Sequence, residues 1–317
     1  MDAVIIPKPL AEGSKVALIG PASRIKPEIV EGLIGVFKED DAFRGIDLIV
    51  YTSALEANAS GSYAASLEQR VADFRDVWAR DDIDGVICAR GGYGCVHLLD
   101  YLPADFIAAH PKWLVGFSDV SALHAMLHKA GIASVHGGMA KQLVENTDCG
   151  YAPYRDALLS ILKSAAPRAE YRVAPHPFNR AGEGSGVLIG GNLAVLNGLA
   201  GTPFDLMGEC KAKDSILFIE DVSEPIYAVE RMLYRLYLQG VLHSARGIIV
   251  GQFTVFKPDR NYDAMYDMIH DRFIQWKVKC PVAFDFPVGH SRRNVPIVES
   301  LPASLAVTSE EVVLKMG

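Results

Sequence analysis

Hydrophobic positions along this chain recur in short runs of strand length, and between them stand longer stretches with an apolar residue every three or four positions. Lys15–Gly20, Ile46–Val50, Gly85–Ala89 and Trp113–Phe117 are the runs in the first half. Pro27–Lys38 and Ala64–Arg80 are the periodic stretches. A further one follows Trp113–Phe117, where Leu123, Met126, Leu127 and Ala130 fall at i, i+3, i+4 and i+7. Buried strands alternating with amphipathic helices predict a parallel sheet covered on both faces, a Rossmann-like α/β domain over residues 1–150. Ligands of such sheets bind beyond the carboxyl ends of the strands. Three loops there carry unusual residues: Gly20–Ser23, Arg90–Gly94 and Ser118–Asp119.

Periodicity weakens after Leu162, and Pro167, Pro175 and Pro177 follow among basic residues, so 151–185 reads as a linker with one helix at Tyr154–Lys163. Residues 186–317 form a second domain. Its predicted strands are Gly186–Ile189, Ser215–Ile219 and Gly247–Val250, with short ones near Val282–Phe284, Ile297–Val298, Ser304–Val307 and Val312–Leu314. Its predicted helices are Asn192–Leu199, Pro225–Gln239 and one near Tyr262–Phe273. The β-rich tail predicts an α+β or β-barrel-like arrangement.

Composition narrows the partners. Half of the 317 residues are hydrophobic, 22% are charged, and the net charge is −7. That balance argues against a nucleic-acid or anionic-membrane surface, and no stretch approaches the 18 apolar residues of a membrane span. Five scattered cysteines without a C-x-x-C pair suit reduced thiols. The segment Met1–Pro7 has an acidic residue where a signal peptide needs basic ones, so a cytoplasmic location is expected.

Cofactor signatures are missing. Gly92-Tyr93-Gly94 would need a glycine where His97 stands, Gly182–Gly186 fails as a dinucleotide fingerprint at Val187, and no P-loop occurs. His124 and His128 lie at i, i+4 and could chelate zinc, but Ala125 occupies the glutamate position of H-E-x-x-H. A solvated or lightly packed polar face opposite the apolar stripe is the expectation there, with no metal and no cofactor.

Ser118 stands at a strand-to-helix turn, which suits either a plain helix N-cap or a nucleophile elbow, although the text reads G-F-S-D. Arg90-Gly91-Gly92-Tyr93-Gly94 suits either a tight turn or an oxyanion cradle. Glu220-Asp221 ends a predicted strand, where acids contact ligands, orient a histidine or cap a helix. His290 follows Gly289 in a loop. Glu224, Tyr227 and Arg231 share one helix face, either a solvated stripe or a surface that reads charged substrate groups. A non-catalytic protein whose glycine loops hold a small anion is compatible with the same residues. Ser118, Glu220 and His290, each at a strand end, match one known order of a serine relay, but spacing does not single them out.

Five motifs in order do so: Arg90–Gly94, Gly116-Phe117-Ser118-Asp119, Gly190–Ala194 with Gly201-Thr202-Pro203, Leu217–Asp221, and Gly289-His290. Together they resemble the LD-carboxypeptidase (muramoyltetrapeptide carboxypeptidase) family of serine peptidases, from about Lys15 to the C-terminus. The resemblance implies Ser118 as nucleophile, His290 as general acid/base, Glu220 orienting the histidine, and backbone N–H groups of Gly92 and Asp119 as the oxyanion hole. It implies release of the terminal D-alanine from murein tetrapeptides, no cofactor, a cytoplasmic setting and a homodimer. A sister branch hydrolyses aminoacyl-nucleotide (microcin-type) antibiotics and stacks the base on a tryptophan between the domains. Glu170–Glu183 here holds Tyr171 and Phe178 but no tryptophan, which favours the murein peptide.

Overall fold

A computed structural model describes residues 4–56, 61–211 and 213–317. The opening residues of the Met1–Pro7 segment read for a leader lie outside the described residues. The chain divides into two compact units, one running to Pro167 and including Val295–Val298, the other holding Arg168–Asn294 and Glu299–Gly317.

The first unit is built on β1 (Lys15–Ile19), β2 (Asp47–Val50), β3 (Gly85–Cys88), β4 (Trp113–Gly116) and β5 (Ser134–His136). These pair in parallel in the order β2-β1-β3-β4-β5. β1, β3 and β4 are apolar on both faces because helices cover both sides of a parallel sheet. The helix Leu67–Ala79 buries Phe74 and Trp78, whose rings stack 5.2 Å apart, and the indole N–H of Trp78 donates to the Ile107 carbonyl at 3.0 Å. Truncating either ring would cost about 3–5 kcal/mol. In this order the sheet reverses direction between β1 and β3, the switch point where ligands of doubly wound sheets bind. The loops Gly20–Ser23 and Arg90–Gly94 leave the sheet at that point, and Ser118 follows the next strand over.

The second unit holds β6 (Ala169–Val173), β7 (Gly182–Asn192), β8 (Ser215–Val222), β9 (Gly247–Thr254), β10 (Val282–Ala283), β12 (Pro302–Val307) and β13 (Val312–Met316). The short strand between β10 and β12, β11 (Ile297–Glu299), joins the first sheet beside β5. The second sheet runs β10-β9-β8-β7-β12-β13-β6, parallel from β10 to β7 and antiparallel beyond. Arg180, just ahead of β7, exchanges backbone bonds of 2.9 and 3.0 Å with Val282 of β10, so the sheet curls back toward its own far edge. This is the mixed, barrel-like arrangement expected of the β-rich half.

β7 is longer than the predicted Gly186–Ile189. Its glycine-rich start, placed in the linker by the sequence, pairs with β12 from Gly182 onward. A side chain at Gly184 would meet the Arg246 carbonyl oxygen at 1.8 Å, so these glycines serve close strand packing. The stretch 151–185 contains the helix Tyr154–Leu162 in the first unit and β6 in the second, where Tyr171 faces Leu314 of β13. Among the described residues no helix is long and apolar enough to cross a membrane, and all five cysteines are free.

Candidate active site

In the first unit the site begins with Ser118. Its backbone is left-handed, φ +65°, a conformation that costs a non-glycine residue about 1–3 kcal/mol and persists where the surroundings impose it. The helix Ser121–Lys129 starts three residues later with Val120 as its N-cap, and Ser118 supplies no capping bond to it. Ser118 is thus not the N-cap of that helix, and its strained strand-to-helix turn has the conformation that a nucleophile elbow would require. Ser118 is half-buried, and β3 contributes the loop beneath it. A Cβ at Gly91 would stand 2.8 Å from the Ser118 Cβ, so only glycine leaves room for the serine. Gly92 and Gly94 have φ +115° and +131°. The Gly91 carbonyl accepts from Ser23 N–H at 3.2 Å, which ties this loop to the one after β1.

Asp119 is buried, and its carboxylate accepts from Cys95 N–H at 2.8 Å. Burial pushes its pKa up, against the opposing pull of that hydrogen bond. Its side chain therefore fixes the far end of the glycine loop.

In the second unit β8 runs two residues past Glu220, which is therefore inside the strand and fully buried, and the Glu220 Oε2 accepts from His290 Nδ1 at 2.6 Å. With Nδ1 donating, Nε2 is the nitrogen available as a base. Burial alone would lower the His290 pKa, but the hydrogen bond and charge of Glu220, with Asp221 behind it, raise it above the ordinary value. The loop is held by β9: Gln252 N–H donates to Val288 O at 2.9 Å and Thr254 Oγ1 to His290 O at 3.2 Å. Gly289 N–H donates to Asn294 Oδ1 at 2.9 Å. A side chain at Gly289 would come within 2.6 Å of Glu220 Oε2, and its φ of +112° also requires glycine.

Asp221 points away from that pair. It accepts from Val222 N–H at 2.8 Å, Ala194 N–H at 2.9 Å and Asn192 Nδ2 at 3.0 Å, so it joins β8 to the helix Leu193–Gly198. Burial first, then the Glu220 charge, push its pKa up to about 7. Asn192 also caps that helix through Val195 N–H.

Tyr227 and Arg231 do meet on the helix Ile226–Leu238, with the guanidinium 5.5 Å from the ring centre and Tyr227 exposed. Glu224 is half-buried and precedes the N-cap Pro225.

The expected solvated or lightly packed face of His124 is corrected. His124 and Ser121 are fully buried, because the helix Ser121–Lys129 is covered on all sides up to Leu127. His124 Nδ1 pairs with Ser134 Oγ and Nε2 with the Gly116 carbonyl, both at 2.8 Å. Burial, then neighbouring His136, push its pKa down to about 3, so the ring is neutral and braces the strand end two residues before Ser118. Among the described residues no three His, Cys, Asp or Glu side chains could hold a metal ion together. Asn192 and Asp221 do not stand out individually in the sequence. The strand-ending acidic pair was the available signal for Asp221, and the Gly-Gly-Asn turn before a helix for Asn192.

The family model for the LD-carboxypeptidase N-terminal domain matches residues 16–137, and that for the C-terminal domain matches 185–305. The chain belongs to the LD-carboxypeptidase family. It is 31% identical to the murein tetrapeptide carboxypeptidase of Pseudomonas aeruginosa, over 88% of this chain and 89% of that one. The crystal structure of muramoyltetrapeptide carboxypeptidase from Oxalobacter formigenes superposes with a TM-score of 0.79 at 27% identity, covering 96% of this chain and 99% of that one. The microcin C7 self-immunity protein of Escherichia coli is 24% identical over 78% of this chain and 80% of its own. As an LD-carboxypeptidase the protein is a hydrolase of the peptidase class.

Proposed function

We propose that this LD-carboxypeptidase is a serine enzyme that releases the terminal D-alanine from murein tetrapeptides, through an acyl-enzyme on Ser118. The left-handed backbone of Ser118, in a turn where it caps no helix, carries the reading. Ser118 Oγ attacks the carbonyl between the L-centre of the third residue and D-alanine, and its proton passes to His290 Nε2. The oxyanion accepts hydrogen bonds from Gly92 and Asp119 N–H. The C–N bond then breaks as His290 returns the proton to the departing amine. Water repeats the sequence on the ester, freeing tripeptide and Ser118. Glu220 holds the imidazole tautomer throughout, supported by the 2.6 Å bond.

The murein peptide is favoured over an aminoacyl nucleotide by the stretch that would have to stack a base. Tyr171 is 2% exposed, and Phe178 already lies on His270 with ring centres 4.4 Å apart. Tyr227 and Arg231 offer an exposed π face and a cation for a charged group of the peptide. The proposal includes the cytoplasmic homodimer implied by the family resemblance. Ser118→Ala should abolish D-alanine release from a tetrapeptide, followed by mass analysis, while the melting temperature stays put. Full activity in that variant would remove Ser118 as nucleophile. A kcat/KM larger on an aminoacyl sulfamoyl adenosine than on the tetrapeptide would transfer the enzyme to the other branch.

A further inference from the structure

Helix Leu67–Ala79 turns one arginine inward. Arg70 is 3% exposed, and its Nη1 donates to the carbonyl of Pro21 at 2.8 Å and to that of Gly94 at 3.0 Å. The Tyr63 ring covers the guanidinium at 5.0 Å. Pro21 belongs to the loop after β1, and Gly94 closes the glycine loop after β3, so one guanidinium spans the switch point of the sheet. Burial acts against its charge, and Asp119, which holds Cys95 N–H next in sequence to Gly94, is among the groups that favour it. Its Nε has no hydrogen-bond partner among the described residues. A buried cation with an unmet donor is a poor device for stability alone. It is a good one for fixing two carbonyls, because the planar fork holds its donors in set directions.

The loop it grips is the one that needs holding. Three glycines in Gly91–Gly94 give that segment much backbone freedom, and the proposed oxyanion donor Gly92 N–H lies in its middle. We propose that Arg70 is a positioning residue for the oxyanion site: by bridging Pro21 and Gly94 it fixes the glycine loop so that Gly92 N–H meets the developing negative charge. The inference rests on the acyl-transfer reading of Ser118.

Arg70→Gln and Arg70→Lys, in the full chain, are compared on a murein tetrapeptide with kcat expressed per Ser118 titrated by a fluorophosphonate. Arg70→Gln should lower kcat about 100-fold, the scale of a donor displaced by about 1 Å, with KM within about threefold of the parent. Arg70→Lys keeps a charge without the fork and should fall between. Affinity for a peptidyl boronic acid, which forms a tetrahedral anion on the serine, should drop with kcat/KM. A merely structural role would lower the titrated fraction and leave kcat per site intact, and that result overturns the proposal. If Arg70→Gln fails to fold, Gly94→Ala attacks the same contact, because its methyl would stand 2.6 Å from Arg70 Nη1. Unchanged kcat per site in Gly94→Ala is equally fatal. Activity surviving in Ser118→Ala would bring down the reaction itself, whereas Ser118-dependent activity with undiminished kcat in Arg70→Gln would bring down only the role of Arg70.

Discussion

After β4 the proposed nucleophile is set by backbone conformation, and beside β8 the proposed base is set by charge. Ser118 has a strained φ, glycines that leave it room, and a neighbouring loop tied down by carbonyl and amide bonds. His290 has a buried carboxylate at 2.6 Å and a pKa raised by it. The two halves should therefore fail in different ways. Changes of shape should damage the first and leave the second, while removal of charge should do the reverse.

The largest effect is expected from Glu220→Gln, which keeps shape and removes charge. By analogy with known serine triads, kcat should fall roughly 10³–10⁴-fold with little change in the circular dichroism spectrum. Loss of less than tenfold would mean that charge does not set the second half. Next comes Gly91→Ala, which adds one methyl 2.8 Å from the Ser118 Cβ and no charge. It should lower kcat about 100-fold without moving the pH profile, checked by stopped-flow acylation between pH 5 and 9.

The pH profile itself is the third test. The base must be neutral, so kcat/KM should rise with pH through an apparent pKa above the ordinary 6.5, falling about tenfold per unit on the acid side. In Glu220→Gln the charge of Glu220 is gone while burial and the weaker pull of Asp221 remain, so the residual profile should shift to lower pH. The linked stability has the opposite sign. The charged His290–Glu220 pair stabilises the fold fully below pH 6.5 and is lost as pH rises through the folded pKa, which thermal melts across that range would register. The smallest effect is expected at the helix surface: Arg231→Ala should raise KM a few-fold and leave kcat unchanged, as exposed charges contribute little. A fall in kcat there would place Arg231 closer to the chemistry than its exposure suggests.

The same contrast explains what was legible in the sequence. The strands of the first half follow from apolar runs, and their ends fall within a residue or so of the expected positions. Ser118 was visible as a strand-to-helix residue because that is a local property. The left-handed φ that distinguishes an elbow from a cap was not, because the surrounding packing imposes it. Glu220 and His290 lie 70 residues apart, and no spacing rule connects them; the family motifs did. His124 was misread because its partners are a serine ten residues away and a backbone carbonyl, and a carbonyl has no letter. Arg70 went unnoticed for the same reason, since both of its acceptors are backbone oxygens. Polar residues that serve the main chain are the hardest to read from a string of side chains.

The strand β11 has a bearing on how the protein is made. It pairs with β5, yet it leaves the ribosome about 160 residues later, a delay on the order of ten seconds at ordinary elongation rates. For that interval the nascent first sheet carries an open edge at β5, with backbone donors and acceptors available to any passing strand. Early termination after Pro167 would leave that edge open permanently. A synthetic peptide spanning Asn294–Ser300 should then cover that edge and rescue the solubility of the truncated half.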